Sequence, residues 1–460
     1  MGRKNRLVNM TEGSMIPNII RFFVPLMLAG LLQLAFNAAD IIVVGRYVGD
    51  TALAAVTSTS AMVTMLLSMF VGLSMGGNVV VARALGKGDW EETDRAVHTC
   101  IATGAVCGVV TGVAGLILSP LLLRLMGTPD TVMGEAVLYL RIYFVGVPAS
   151  MIFNFGSAVL RGNGDTRRPM WFLILSGAVN LLLNLVFVLA LGWGVAGVAV
   201  ATSIANILAC TLVLYCLMHE SDPLRLDLKR LRLDMPMLSR IVSIGVPGSL
   251  QAVLISLSNV VIQSAVNSFG DVFMAGSGAA GNIEGFVWTA MNSVYQGCLT
   301  FTSRNLGAGK LKRVDRSVLH SGWLVVVVGL GLGGTACLFA RPLLGLYTNS
   351  PQAIEYGVDR MLLVCLPYFI LGISDVLMGG LRGLGKSVVP LINAITFMVV
   401  FRILWINTVL RVYHVPAVLF ASYPISWIMV VIANLLCWLH VRRKVYGQIK
   451  QKEGLNRADQ

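Results

Sequence analysis

Asp40 lies well inside an apolar run, where a carboxylate is out of place. Gln33 and Asn37 precede it by seven and three residues, so all three share one face of a helix. An ionised Asp at the centre of a bilayer costs about 3 kcal/mol on insertion scales. A polar face of this kind points at a cavity or an ion, not at lipid. A second stripe has the same logic: Ser176, Asn180 and Asn184 recur every four residues, and Thr202 and Asn206 repeat the spacing further on. One carboxylate and several neutral oxygens suit a proton or a hard cation such as Na⁺. No other metal is expected, because the five His are scattered without ligand spacing. The second half carries its own set. Ser256, Asn259, Gln263 and Asn267 share a face, and Glu284, Asp375 and Arg402 are further intramembrane charges. Either acid is a candidate partner for Arg402.

The elements that hold these residues are long apolar helices. Of the 460 residues, 56% are hydrophobic and 12% charged, with mean hydropathy +0.78. A soluble domain carries about 25% charged residues, and a soluble chain this apolar would aggregate. Runs of about 20 apolar residues span a bilayer. Twelve such runs are read at 17–44, 53–79, 97–123, 135–160, 170–191, 194–218, 239–268, 273–302, 317–345, 355–381, 389–411 and 415–441. Pro25 interrupts the hydrogen-bond ladder of the first and permits a bend.

An even number of spans puts both termini on one side, and charge says which. Arg46, Arg124, Arg141, Arg341, Arg360 and Arg411 fall on one side. Arg21 and Arg402 fall within spans. The remaining Lys and Arg, among them Arg3, Lys4, Arg6, Lys312, Arg313, Arg442 and Arg443, fall on the other side. Both termini are therefore expected in the cytoplasm. The net charge of +13 follows from topology and attraction to anionic lipid, so no nucleic-acid partner is expected. Eight scattered Cys without a CxxC pair read as small apolar fillers.

The chain is written twice. Ala82–Val97 aligns with Ser303–Val318 through identical residues at Arg83/Arg304, Leu85/Leu306, Gly86/Gly307, Gly88/Gly309, Asp94/Asp315, Arg95/Arg316 and Val97/Val318. The offset is 221 residues. It recurs at Leu160-Arg161-Gly162-x-Gly164 against Leu381-Arg382-Gly383-x-Gly385, and at Pro169 against Pro390. Shifted by one, Pro25 matches Pro247 and Asn37 matches Asn259. Six spans per half give a parallel repeat about the membrane normal. The expected organisation is a terminus at 1–14, a first lobe at 15–218, a linker at 219–238, a second lobe at 239–441 and a terminus at 442–460. Two similar bundles that rock against each other would open a cleft to either side in turn.

Several patterns carry nothing. Gly192-x-Gly194-x-x-Gly197 and Gly329-x-Gly331-x-x-Gly334 lack the βαβ context of a dinucleotide site. There is no Walker sequence and no arrangement for hydrolytic catalysis, so an enzyme is not expected. Gly104, Gly108 and Gly112 have the spacing of a close helix contact.

The combination of Pro25 with Asp40, the loop Arg83-Ala-Leu-Gly86-Lys-Gly88, Leu160-Arg-Gly-Asn-Gly164-Asp165-x-x-x-Pro169 and the echoes Asn305-Leu-Gly307-Ala-Gly309 and Leu381-Arg-Gly-Leu-Gly385 resembles the multidrug and toxic compound extrusion (MATE) transporters over nearly the whole chain. The resemblance implies an all-α integral membrane protein of twelve transmembrane helices, with two pseudo-symmetric six-helix bundles around a V-shaped central cleft. It implies export of organic, often cationic, drugs or metabolites by antiport with H⁺ or Na⁺ and no cofactor. It places the coupling site at Asp40, Asn180, Asn184 and Thr202. Asn184 stands where some members carry Asp. An acid that some members use in the seventh helix falls near Ile255, where this span has none, and one in the tenth falls near Leu371, with Asp375 one turn away.

The cavity lining is expected to include Gln33, Phe36, Asn37, Asn154, Asn259, Gln263, Glu284, Asp375 and Arg402. A monomer in a bacterial inner membrane is expected, taking a small organic substrate and contacting lipid. The rivals are a flippase for lipid-linked oligosaccharide and a membrane protein that transports nothing. The few intramembrane charges of mixed sign argue against the first.

Overall fold

A computed structural model describes residues 7–458, so Arg3, Lys4 and Arg6 lie outside the described residues. Among the described residues the chain is helical and has no strand. Twelve long helices follow one another: α1 (Met15–Tyr47), α2 (Asp50–Lys87), α3 (Trp90–Leu125), α4 (Asp130–Gly162), α5 (Arg167–Ala190), α6 (Gly194–Met218), α7 (Met235–Asn267), α8 (Asp271–Gly307), α9 (Leu311–Leu338), α10 (Pro351–Gly383), α11 (Val388–Val412) and α12 (Pro416–Ala458). Eleven of them are long and apolar enough to cross a membrane. The exception is α8, which has 37 residues but a less apolar composition. Its Ser277, Ser293, Thr300, Thr302 and Asn305 are buried among neighbouring helices.

The helices overrun the apolar runs because backbone hydrogen bonding continues past the edge of the hydrocarbon. One span and the C-terminal tail differ from the expected bounds. The ninth, read as 317–345, breaks at Phe339 and resumes as a short helix, Ala340–Gly345. Within the tail read as 442–460, residues 442–458 continue α12, and the last two lie outside the described residues. Three helices contain π-helical turns, which often sit beside functional groups. One closes α5 at Val186–Ala190, just after Asn184. One follows Arg360 at Met361–Cys365, and one precedes Arg402 at Ile395–Val400.

The repeat governs the architecture. Helices α2 and α8, α3 and α9, α4 and α10, and α5 and α11 each begin at the same offset of 221 residues. The loop glycines match in conformation as well as in type. Gly88 and Gly309 have φ of 73° and 67°, and Gly164 and Gly385 have 93° and 85°. These left-handed values disfavour any side chain, which explains why the loops match better than the membrane faces.

The chain forms two compact units. The first contains Leu28–Ser249 and, from the N-terminus, Val8, whose amide donates to Gly164 O at 3.1 Å. At its centre α4 packs against α2, α3 and α6. The glycine spacing on α3 does what it implied: a Cβ at Gly108 would lie 2.7 Å from Pro148 Cα, and one at Gly112 would lie 3.0 Å from Phe144 O. The second unit contains Asn9–Met27 and Leu250–Gln460. There α8 packs on α9 and α10, and a Cβ at Gly276 would lie 2.1 Å from Ala353 O.

The units part within α1 and α7, not at the polar stretch 219–238. The break falls after Met27 and after Ser249, two residues past Pro25 and Pro247. The start of α1 is held in the second unit by Phe22, edge-on to Phe301 at 5.7 Å, and by Asn305, which donates to Met10 O at 3.1 Å. The start of α7 is held in the first unit against α2. A Cβ at Gly76 would lie 2.1 Å from Ile241 O, and Ser249 Oγ donates to Met69 O at 2.8 Å.

Candidate functional site

In the first unit, α1, α5 and α6 bring the four expected residues together. The four-residue spacing puts Asn180 and Asn184 one above the other on α5. Asn184 Nδ2 donates to Asp40 Oδ1 at 2.5 Å. The Asn180 amide satisfies both its neighbours in one orientation. Its nitrogen then donates to the same Asp40 oxygen at 2.9 Å, and its oxygen accepts from the Thr202 N–H at 3.2 Å, with the Thr202 hydroxyl 3.3 Å away. Thr202 Oγ1 itself donates to Val198 O at 3.0 Å.

Two features matter chemically. Every partner of Asp40 here is a neutral amide, so no fixed cation cancels its charge. Asn184 Oδ1 is buried and has no hydrogen-bond partner among the described residues. An unpaired carbonyl oxygen beside a carboxylate is a donor set for a hard cation, and the carboxylate alone is a proton acceptor. Among the described residues no cluster of three or more His, Cys, Asp or Glu is placed to hold a metal ion.

The remaining candidates in this unit divide. Gln33 and Asn37 are exposed on α1 within the unit. Phe36 lies against Gly177 of α5, where a Cβ would come within 2.1 Å of its ring. Asn154 turns back on its own helix, donating to Ser150 O at 2.8 Å.

In the second unit Asn259, Gln263 and Asn267 are exposed on α7, and Gln263 Nε2 donates to Asn267 Oδ1 at 2.9 Å. The expected pairing of Arg402 with Glu284 or Asp375 is not what forms. Glu284 takes a two-pronged ion pair from Arg360, with Nε at 2.9 Å and Nη2 at 2.8 Å. Arg360 Nη1 donates to Ser277 at 2.7 Å. Arg360, expected among the loop cations although it falls inside the tenth apolar run, packs from α10 against α8. Arg402 instead lies over the Tyr423 ring at 4.5 Å and donates to Ser426 Oγ at 2.9 Å. Asp375 is buried on α10. One turn or two further along, Arg382 donates to Gln251 Oε1 at 2.8 Å and to the Tyr295 hydroxyl. Tyr295 is thus engaged in this buried network. The signal that would have found Arg360 was the one used for Arg402, a charge inside an apolar run.

A family model, MatE, matches the chain twice, at residues 25–186 and 247–407. The chain belongs to the MATE family of transporters. The two MatE matches begin at Pro25 and Pro247, so they fall on the two halves of the repeat. This MATE chain is 28% identical to a probable multidrug resistance protein, YoeA, of Bacillus subtilis, over 81% of its own length and 82% of that protein. It is 25% identical to an FAD transporter of Shewanella oneidensis, over 77% and 79% of the two chains. A solved structure described as the outward-facing conformation of a multidrug resistance MATE family transporter superposes with TM-score 0.88 at 21% identity, covering 95% of this chain and 98% of that one. The MATE chain is thus a multi-pass membrane protein of long helices in two repeated halves.

Proposed function

We propose that the protein exports small organic compounds across a bacterial inner membrane, driven by inward movement of H⁺ or Na⁺ through the Asp40 site. The observation that carries this reading is a carboxylate held only by the neutral amides of Asn180 and Asn184, beside the unpaired Asn184 Oδ1. A half-buried carboxylate inside a membrane span with no fixed counter-ion favours neutralisation by something mobile. A proton or Na⁺ that arrives from one side and leaves on the other meets that need. Antiport follows if the loaded and unloaded states differ in affinity for the organic substrate; a coupling free energy of about 1–3 kcal/mol is typical.

Exposed polar residues within each unit support access by water. Gln33 and Asn37 on α1, and Asn259 and Gln263 on α7, are unsuited to hydrocarbon. The names of relatives, which include multidrug resistance proteins and an FAD transporter, support an organic substrate without fixing its charge. The excess of Lys and Arg in alternate loops supports cytoplasmic termini.

The experiment is transport in proteoliposomes with an imposed H⁺ or Na⁺ gradient against a panel of organic ions. Gradient-dependent uptake that disappears in Asp40→Asn is expected. Uptake at the wild-type rate in that variant would show that Asp40 does not couple transport.

A further inference from the structure

The offset that relates the two halves also relates two grooves. In the first unit, the linker crosses the groove between the start of α3 and the end of α6. Asp227 N–H donates to His98 Nε2 at 3.1 Å, and Asp234 N–H donates to Thr99 Oγ1 at 3.3 Å. Leu226 N–H donates to Leu217 O at 3.0 Å, and Leu224 and Leu226 are buried. In the second unit the counterparts of His98, Thr99 and Leu217 are Leu319, His320 and Trp438; identical residues at Cys216/Cys437 and His219/His440 hold the register there.

No chain crosses this second groove among the described residues, because α12 runs on as a helix to Ala458. The face remains open as a groove of about 500 Å³ between α9, α10 and α12, walled by Leu319, Gly322, Trp323, Val376, Leu435 and Trp438. One end is closed by Arg442, which donates to Asp315 Oδ1 at 3.1 Å, and by the Tyr446 hydroxyl, which donates to it at 3.0 Å. Beyond that pair the wall stripes continue at helical spacing to Lys312 and Arg316 on α9 and to Arg443 on α12, with Lys444 beside it. All four are exposed. The same positions in the first half hold Glu91, Arg95, Asp222 and Pro223, so the basic end is particular to the second unit.

We propose that this groove binds one anionic phospholipid, with an acyl chain along its apolar walls and the phosphate among Lys312, Arg316, Arg443 and Lys444. The outer faces of spanning helices meet hydrocarbon, and basic pockets between spans on the Lys- and Arg-rich side bind acidic headgroups. The groove has the polarity of a phospholipid: apolar along its length and cationic at one end. A zwitterionic lipid would fill the walls but leave the four cations unmatched. A second copy of the chain would bring like charges together. The proposal goes beyond the transport reading and does not depend on which ion drives it.

The test is native mass spectrometry of the purified full chain after mild delipidation, with phosphatidylglycerol or phosphatidylcholine of the same acyl composition added. Retention of one phosphatidylglycerol, held about tenfold more tightly than phosphatidylcholine, is expected. Replacing Lys312, Arg316, Arg443 and Lys444 together by Gln should erase that preference. Gly322→Phe should displace both lipids, because a Cβ at Gly322 meets nothing within 4 Å and the ring can occupy the groove. Equal retention of the two lipids by the wild type would overturn the proposal. So would a preference that survives the four Gln substitutions, or a chain that dimerises through this face.

Discussion

Both units hold an acid inside a membrane helix, half-buried at Asp40 and buried at Glu284, but with different partners. Asp40 in the first unit is held by two amide nitrogens, at 2.5 and 2.9 Å, which satisfy its hydrogen bonding without cancelling its charge. Glu284 in the second is held by the guanidinium of Arg360, at 2.9 and 2.8 Å, which does both. The second unit thus holds its acid in an ion pair, and the first holds its acid with neutral amides alone. Of the two, the arrangement at Asp40 is the one suited to loading and unloading. The paired acid is suited to holding α8 and α10 together.

Four tests sharpen this contrast. The largest effect is expected from Asp40→Asn: ion-driven transport in proteoliposomes should fall to the gradient-independent background, while thermal stability in detergent changes little. A large loss of stability would place Asp40 in the same structural class as Glu284. Next comes Glu284→Gln, which leaves Arg360 buried without its counter-ion and should cost about 3–5 kcal/mol. Thermal unfolding should show the loss, and Glu284→Leu combined with Arg360→Met should recover most of it. If the double variant is stable but transports nothing, Glu284 does more than hold helices.

The third test compares matched glycines. Gly76→Ala drives a methyl to 2.1 Å from Ile241 O and should cost about 1–3 kcal/mol by overpacking. Its counterpart Gly297→Ala meets only Phe22, at 3.5 Å, and should be close to neutral. The smallest effect is expected from Asn184→Ala, which removes one of the two amide donors and the unpaired oxygen. The ion concentration for half-maximal transport should rise about tenfold, the scale of one hydrogen bond to a charged group. No change would remove Asn184 from the site.

The legible part of the molecule was what chain-local physics controls. Apolar run length located the twelve helices, and left-handed glycines fixed the loops in both halves. The Asp40 cluster was legible because four-residue spacing on α5 and the oddity of a carboxylate in lipid are properties of single helices. The assembly of its members rested on the family resemblance. What escaped depends on neighbours. Arg360 lies only ten residues into α10, close enough to a loop to be read as one of its charges. Its burial comes from α8, α12 and the Phe420 and Tyr423 rings, which no local pattern announces. Arg402 was correctly found inside a span but assigned the wrong partners, because a tyrosine face does not advertise itself as a cation's neighbour.

The division of α1 and α7 between the units has a consequence for synthesis. The ribosome makes residues 9–27 almost at the outset, yet these belong to the unit completed last. The first unit cannot close until residue 249 has emerged, some thirty residues beyond the end of its sixth span. Cutting the gene at the linker would therefore yield two fragments that each lack a needed piece, whereas co-expressed fragments could complement one another. Insertion of this chain must leave its opening segment waiting in the bilayer until nearly everything else has been translated.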